Sequence, residues 1–464
     1  MRDYAAYSFW LETCGDDLTP RPALQGSTTV DVAILGAGYT GLWTAYYLLQ
    51  ANPSLKVALV DKHISGFGAS GRNGGWCTPH FTISPDEMIR RFGNDAAIRI
   101  EHVMHQTVEE IKHVVEKEKL DVDWAQNGAL TMALWDYALP TLEEMMNTAR
   151  SLGLEQYYEL LNKTETEKRL RIGDAKGSLL LKGSAVIHPG KLVRQLARRV
   201  EALGAVIYEQ TEVTDFREKG PNTPAQLITA NGTISARLAI VLSGEGYLSQ
   251  IKRMKRSILP TYSLISVTEP LSDEQWAQIG WEKRELVSST KLSIDYLQRT
   301  ADKRILFGSR GQPYRFGSSI KDEYDRHKPT HDMIGKLARS WFPVISNVTF
   351  THSWGGPLGI TRDFTPNFQF NQQTGIAGAF GYIGLGVSTT NLAGRILTDL
   401  IHEKGSELTV LPMVQHASPL WEPEPFRWIG VRYMQSALAK IDQRAEETGI
   451  APNGKSLAER LFKH

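Results

Sequence analysis

The feature that most constrains this chain is the junction at residues 31–50, DVAILGAGYTGLWTAYYLLQ. Val32 to Leu35 reads as a parallel strand, apolar on both faces. Gly36, Gly38 and Gly41 follow at the G-x-G-x-x-G spacing. Gly36 permits a tight turn, Gly38 lets a pyrophosphate approach the backbone, and Gly41 lets a helix pack close to the sheet. The helix runs on through Leu49. Its N-terminus offers free N–H groups and a positive dipole end to a phosphate. A second strand, Lys56 to Val60, ends at Asp61, twenty residues past Gly41. There a carboxylate can accept hydrogen bonds from an adenosine ribose. Strand, glycines, helix and acid together predict a dinucleotide site. Asp61 disfavours NADP, whose 2′-phosphate would meet its charge. The motif does not separate NAD from FAD.

At 464 residues the chain is long enough for two or three domains, or for one large α/β body with insertions. Hydrophobic residues make up 41% and charged residues 22%, which fits a globular protein with a sizeable core. A net charge of +1 argues against a dedicated nucleic-acid binder. The basic run Lys252-Arg253-Met254-Lys255-Arg256 reads as a solvated face. The two cysteines, Cys14 and Cys77, form no C-x-x-C pair and suit a reducing compartment. The first residues lack the apolar stretch of a signal peptide, and the glycine-rich run 376–387 is far short of a membrane span. A cytoplasmic protein that needs no membrane is the expectation.

Two further glycine clusters narrow the cofactor. Lys62 is followed by a loop in which Gly66 to Gly75 cannot pack a core. Ala69, Gly74 and Gly75 let backbone lie against a flat ligand, and Ser70, Arg72 and Asn73 supply hydrogen bonds. An NAD enzyme does not need such an element so soon after its second strand. Far along the chain, a short strand through Ala379 and Phe380 enters a turn at Gly381, Gly384 and Gly386. A helix then begins near Ser388 or Thr389. Its N-terminus could stabilise the negative charge that reduction places on the pyrimidine side of a flavin. A surface loop and an ordinary strand-to-helix turn are the plain alternatives for these two clusters.

Taken in order, G36-A-G-Y-T-G41, G66-F-G-A-S-G-R-N-G-G75, H188-P-G-K-L-V-R194 and G381-Y-I-G-L-G386 resemble the D-amino-acid oxidase and glycine oxidase superfamily of FAD enzymes. The likeness reaches from about residue 30 to residue 400 and runs towards oxidases of gamma-glutamylated amines. It implies an α/β protein, a Rossmann-like FAD-binding domain with a second, antiparallel-sheet substrate domain. The FAD-binding domain would be discontinuous, over about 28–90, 150–250 and 350–405. The substrate domain would take 91–149 and 251–349, leaving 406–464 as a C-terminal helical segment. Val213 resembles the position that frames the adenine, and Ser243 and Gly244 resemble the last nucleotide-side turn. His188 reads as structural. Residues 427–447 read as an amphipathic packing helix.

The implied chemistry is oxidation of a C–N bond in a primary or secondary amine by hydride transfer to non-covalent FAD. An imine forms, then an aldehyde. Oxygen or an electron carrier takes the electrons, with hydrogen peroxide as product if it is oxygen. A dehydrogenase, or a flavin-binding protein without turnover, remains the alternative. Glycine oxidase relatives carry an arginine shortly after a W-x-G step, clamping an amino-acid carboxylate. Here Trp354-Gly355-Gly356-Pro357-Leu358 puts Leu358 at that place. An apolar side chain cannot pair a carboxylate, so a simple α-amino acid is disfavoured. A gamma-glutamylated amine or an N-substituted amino acid fits better. Leu385 likewise stands where many relatives carry histidine. Tyr262, Tyr296 and Trp354 are the pocket candidates, and Arg299 and Arg310 are weaker candidates for reading a distant carboxylate. No metal site is expected.

Overall fold

The computed structural model describes residues 2–452 and 454–462, the side chains of Arg310 and Phe462 excepted. Strand Thr28–Leu35 lies inside an eight-stranded sheet. It pairs in parallel with Gly232–Leu242 on one side and Val57–Val60 on the other. Val206–Tyr208 and Ile376–Phe380 extend the parallel part, and Asn367–Asn371 adds an antiparallel edge. Alternation along the central strand splits its side chains between two cores. Val32 and Ile34 pack with Leu42, Trp43, Leu392 and Ile396, from helices Tyr39–Ala51 and Gly386–Ile401. Ala33 packs on the other face with Phe216 and Leu227, from an antiparallel ribbon of Val213–Arg217 and Ala225–Thr229. The two helices touch through Gly394, where a Cβ would sit 2.8 Å from the Trp43 backbone carbon.

A second eight-stranded sheet runs in the order Phe350–Ile360, Leu259–Thr268, Ile305–Gln312, Asp295–Arg299, Leu286–Ser289, Ala129–Ala133, Gly177–Leu181, Tyr158–Asn162. Its pairs are antiparallel except that between Leu286–Ser289 and Ala129–Ala133. One face buries Leu264, Val287, Leu297 and Phe307 against Trp276 and Trp341, from helices Asp273–Ile279 and Lys328–Trp341, and against Trp281, just past the first of these. The opposite face looks towards the glycine loops of the first sheet.

The pairing departs from the expected segment boundaries. Strands Tyr158–Asn162, Gly177–Leu181 and Phe350–Ile360 belong to the second sheet, not the first. Helix Asn94–Lys117 sets Met104, Val108 and Ile111 into the core of the first sheet, not the second. Apolar content suits either sheet, and the partners that decide between them lie far away in sequence. Helix Phe426–Thr448 forms where expected: Val431 packs with Tyr314 and Trp421, and Arg427, Asp442 and Ala445 are buried, while Phe426 and Ile429 are exposed. No helix among the described residues is long and apolar enough to cross a membrane.

Candidate functional site

A continuous cavity of about 620 Å³ runs between the two sheets. Its first end is built by the opening glycine motif. Gly36 holds φ +102°, and a Cβ there would lie 2.9 Å from the Ser243 carbonyl oxygen, so turn and close approach both require glycine. At Gly41 a Cβ would sit 2.0 Å from the Gly36 carbonyl oxygen; this glycine seats the helix and does not line the cavity. The Asp61 carboxylate accepts hydrogen bonds from the Ala37 and His63 amides at 2.9 and 2.8 Å. Burial pushes its pKa up to about 6 against those two bonds. Gly38, Lys62, Val213, Ser243 and Gly244 join Asp61 along this wall. Lys62 is paired with Glu212 at 2.9 Å.

The second glycine loop lies directly over the first helix terminus. The Tyr39 amide donates to Ser70 Oγ at 2.8 Å, tying the two motifs together. Asn73 closes its own loop: its Oδ1 accepts from the Gly75 amide at 2.8 Å, and its Nδ2 donates to the Ala69 and Ser70 carbonyls. Ala69, Ser70, Arg72, Asn73 and Gly74 line the cavity; Gly75 does not. Arg72 is paired with Asp325, donates through Nε to the Phe67 carbonyl at 2.7 Å, and lies 4.2 Å over the Phe67 ring. Its Nη2 is buried without a partner, a donor left for whatever fills the cavity.

The third cluster closes the same cavity from the opposite wall through Gly384 and Gly386, with Tyr382, Ile383 and Leu385. Gly381, Ser388 and Thr389 stand behind it. Ser388 donates to the Thr78 carbonyl at 2.5 Å and Thr389 to the Leu385 carbonyl at 2.7 Å, so both hydroxyls are taken up by the scaffold. The device that holds this wall was missed in the sequence. Glu245 accepts hydrogen bonds from the amides of Gly381, Gly359 and Tyr382 at 2.8, 2.9 and 3.3 Å. It thereby joins both sheets at the rim of the cavity. Burial pushes its pKa up to about 7, with the three amides pulling the other way.

Beyond these walls the cavity widens into a chamber bordered by Trp76, His80, Ser263, Ile265, Tyr296 and Leu358. Tyr296 lines this cavity: its ring stands edge-on to Trp76 at 6.3 Å, and its hydroxyl shares a 2.8 Å hydrogen bond with Ser263. Tyr262 and Trp354 do not line the chamber. Tyr262 points to the other face of its strand, where its hydroxyl accepts from the Lys321 amide at 3.1 Å. Trp354 is sealed under Phe9 and Trp10 of the N-terminal helix and donates to the Arg72 carbonyl at 2.9 Å. It braces the glycine loop from behind. Arg299 donates to the Trp281 carbonyl and stacks 4.1 Å over Trp276, away from the chamber. The Arg310 side chain lies outside the described residues. His80, not singled out in the sequence, presents an imidazole whose pKa burial lowers to about 4, so it is neutral at pH 7. His188 is structural: it caps helix Pro189–Ala202, its Nδ1 accepting from the Lys191 amide at 3.1 Å. Both cysteines are free and buried, and neither borders the cavity.

These residues fit an adenylated flavin. Two helix N-termini and a ribose-ready carboxylate line one groove, an unpartnered guanidinium nitrogen sits beside it, and the chamber lies at its far end. Comparison with known proteins agrees. Residues 31–400 match the family model described as DAO, FAD dependent oxidoreductase. The chain is 31% identical to the gamma-glutamylputrescine oxidoreductase of Escherichia coli over 412 residues, 88% of this chain and 92% of that protein. It is also 31% identical to a probable oxidoreductase, OrdL, of Haemophilus influenzae over 411 residues, 87% and 90% of the two chains. The solved glycine oxidase of Geobacillus kaustophilus shares the fold at a TM-score of 0.69 and 20% identity, over 84% of this chain and 100% of that one. The chain therefore belongs to the DAO family of FAD-dependent oxidoreductases.

Proposed function

We propose that the protein oxidises a C–N bond in a primary or secondary amine, a gamma-glutamylated amine or an N-substituted amino acid being the best-fitting classes, and that its FAD is non-covalent. The observation that carries this reading is Leu358 on the chamber wall. Its side chain offers no counter-ion at the place where glycine oxidase relatives clamp an α-carboxylate, and a buried unpaired carboxylate there would be costly. The name of the Escherichia coli relative points to the same substrate chemistry.

FAD, when bound, supplies a two-electron acceptor. The chain's own residues do the rest. Tyr296, Trp76 and Ile265 exclude water from the chamber and orient the substrate. His80, held neutral, adds no charge to oppose the free amine and can accept one of its N–H groups. Loss of hydride from the carbon and of a proton from nitrogen leaves an imine, which water splits to an aldehyde or ketone and an amine or ammonia. Dioxygen is the proposed final acceptor, taking two electrons and two protons to leave as hydrogen peroxide.

The test is anaerobic mixing of the holoenzyme with amines, N-alkyl amino acids and glutamylated polyamines, followed at the flavin absorption bands. Bleaching by an amine, then recovery in air with one peroxide per turnover, is expected. Bleaching only by simple α-amino acids would overturn the substrate assignment. Recovery with an acceptor dye but not with air would make the enzyme a dehydrogenase.

A further inference from the structure

The hairpin between strands Leu286–Ser289 and Asp295–Arg299, the latter three strands from the one that carries Leu358, also borders the cavity, and from it Lys291 reaches the wall. Among the described residues of this hairpin that border the cavity, Lys291 is the cation. Its side chain is only 12% exposed: Nζ lies 2.5 Å from Glu446 of helix Phe426–Thr448, whose own side chain is 35% exposed, and 5.4 Å over the Trp135 ring, with the buried carboxylate of Asp295 also interacting with it from the cavity wall. The same helix clasps the hairpin backbone, with Asp442 accepting from the Leu292 and Ser293 amides at 3.1 and 2.7 Å. That helix thus grips the hairpin through two acids one turn apart, besides packing Val431 against Tyr314 and Trp421. Asp442 is buried and builds the loop. Glu446 remains half open to water and holds Lys291 in place.

We infer that Lys291 is a carboxylate subsite, filled by Glu446 until a substrate anion displaces it. Resting on the amine-oxidising reading, this specifies the substrate further: an amine whose carboxylate is separated from the oxidised carbon by a chain. The sheet sets the reach. The strand carrying Leu358 and the strand entering at Asp295 are three steps apart, roughly 14 Å at the usual strand spacing. An α-amino acid is too short to bridge that separation, whereas an extended amine with an anionic far end can. The cavity thus trades the arginine that relatives place near the reacting carbon for a lysine on the hairpin three strands away. Exchange of one carboxylate for another at a preformed, largely dehydrated ammonium costs little reorganisation, which favours selectivity for charge over raw affinity.

The test uses the holoenzyme and a probe that cannot be oxidised, 6-acetamidohexanoate, with 6-acetamidohexanamide as its uncharged match, in titration calorimetry. The acid is expected to bind on the order of tenfold more tightly than the amide. Lys291→Met should remove that preference, Lys291→Arg should keep it, and Glu446→Gln should tighten the acid roughly threefold by removing its competitor. Equal binding of acid and amide by the wild type, or an unchanged preference in Lys291→Met at an unchanged melting temperature, overturns the subsite. Anaerobic bleaching by amines that lack a carboxylate is read in parallel. If the acid preference depends on Lys291 but no amine bleaches the flavin, the oxidation reading fails and the subsite stands; bleaching with charge-blind binding gives the reverse.

Discussion

Glu245 offers the sharpest test of how the cavity rim is held. Its carboxylate takes three backbone amides, two from the wall at Gly381 and Tyr382 and one from Gly359 of the other sheet. Burial raises its pKa from an ordinary 4.5 to about 7. A raised folded-state value means that between these limits the native protein keeps a proton the unfolded chain has released. The contribution to stability is therefore complete below about pH 4.5 and is lost as pH rises through 7. At about 1.4 kcal/mol per unit, the loss amounts to about 3 kcal/mol. Glu245→Gln keeps the size and one acceptor oxygen but cannot titrate. The variant loses the acceptor for one amide, at a cost of about 1–3 kcal/mol that does not vary with pH. Urea unfolding from pH 4 to 8, with FAD in one fixed excess, should show wild-type stability falling relative to the variant by about 3 kcal/mol across that window. Other carboxylates with raised values, Asp295 and Asp325 among them, are present in both proteins and cancel in the difference. Two curves that run parallel to within about 1 kcal/mol would refute the assignment of a buried, titrating carboxylate at this joint.

Three further outcomes are expected. Gly41→Ala drives a methyl into the Gly36 carbonyl oxygen at 2.0 Å, so the first helix must shift; the purified variant should be colourless and regain no flavin spectrum on soaking in FAD. Leu358→Arg sets a guanidinium on the chamber wall and should raise anaerobic bleaching by glycine or sarcosine at least about tenfold, while lowering the melting temperature, since an unpaired buried charge is costly. Acid precipitation should release all the flavin into the supernatant, from Cys77→Ser and wild type alike, because Cys77 is fully buried away from the cavity; yellow retained in the wild-type pellet alone would establish a cysteine linkage.

What could be read from the sequence, and what could not, divides by how local the determinant is. The three glycine clusters were legible because their spacing is a local pattern, although the close approaches that require several of them, Ser243 against Gly36 and Tyr296 against Gly74, come from remote segments. The strands at residues 32–35 and 57–60 were legible from unbroken apolar runs, which a sheet covered on both faces requires. Trp354 was misplaced because nothing near it in sequence reveals that Phe9 and Trp10 cover it. Tyr262 was misplaced because one residue of register decides which face of a strand a ring takes, and its neighbour Ser263 occupies the cavity side. Glu245 and Lys291 left no signal at all. One is a lone acid after a Ser-Gly turn and the other a lone base in a hairpin, and charged residues at such places are ordinarily solvated. What distinguishes them is partners more than a hundred residues away: Gly359 and Gly381 for Glu245, Glu446 for Lys291. The cofactor groove and Leu358 are thus legible in local spacing, whereas the proposed Lys291–Glu446 subsite rests on a contact between remote segments. On the proposed reading, substitutions that alter specificity should cluster at Leu358 and the Lys291–Glu446 pair and leave flavin binding intact; a specificity screen whose hits fell within the glycine loops instead would contradict that division.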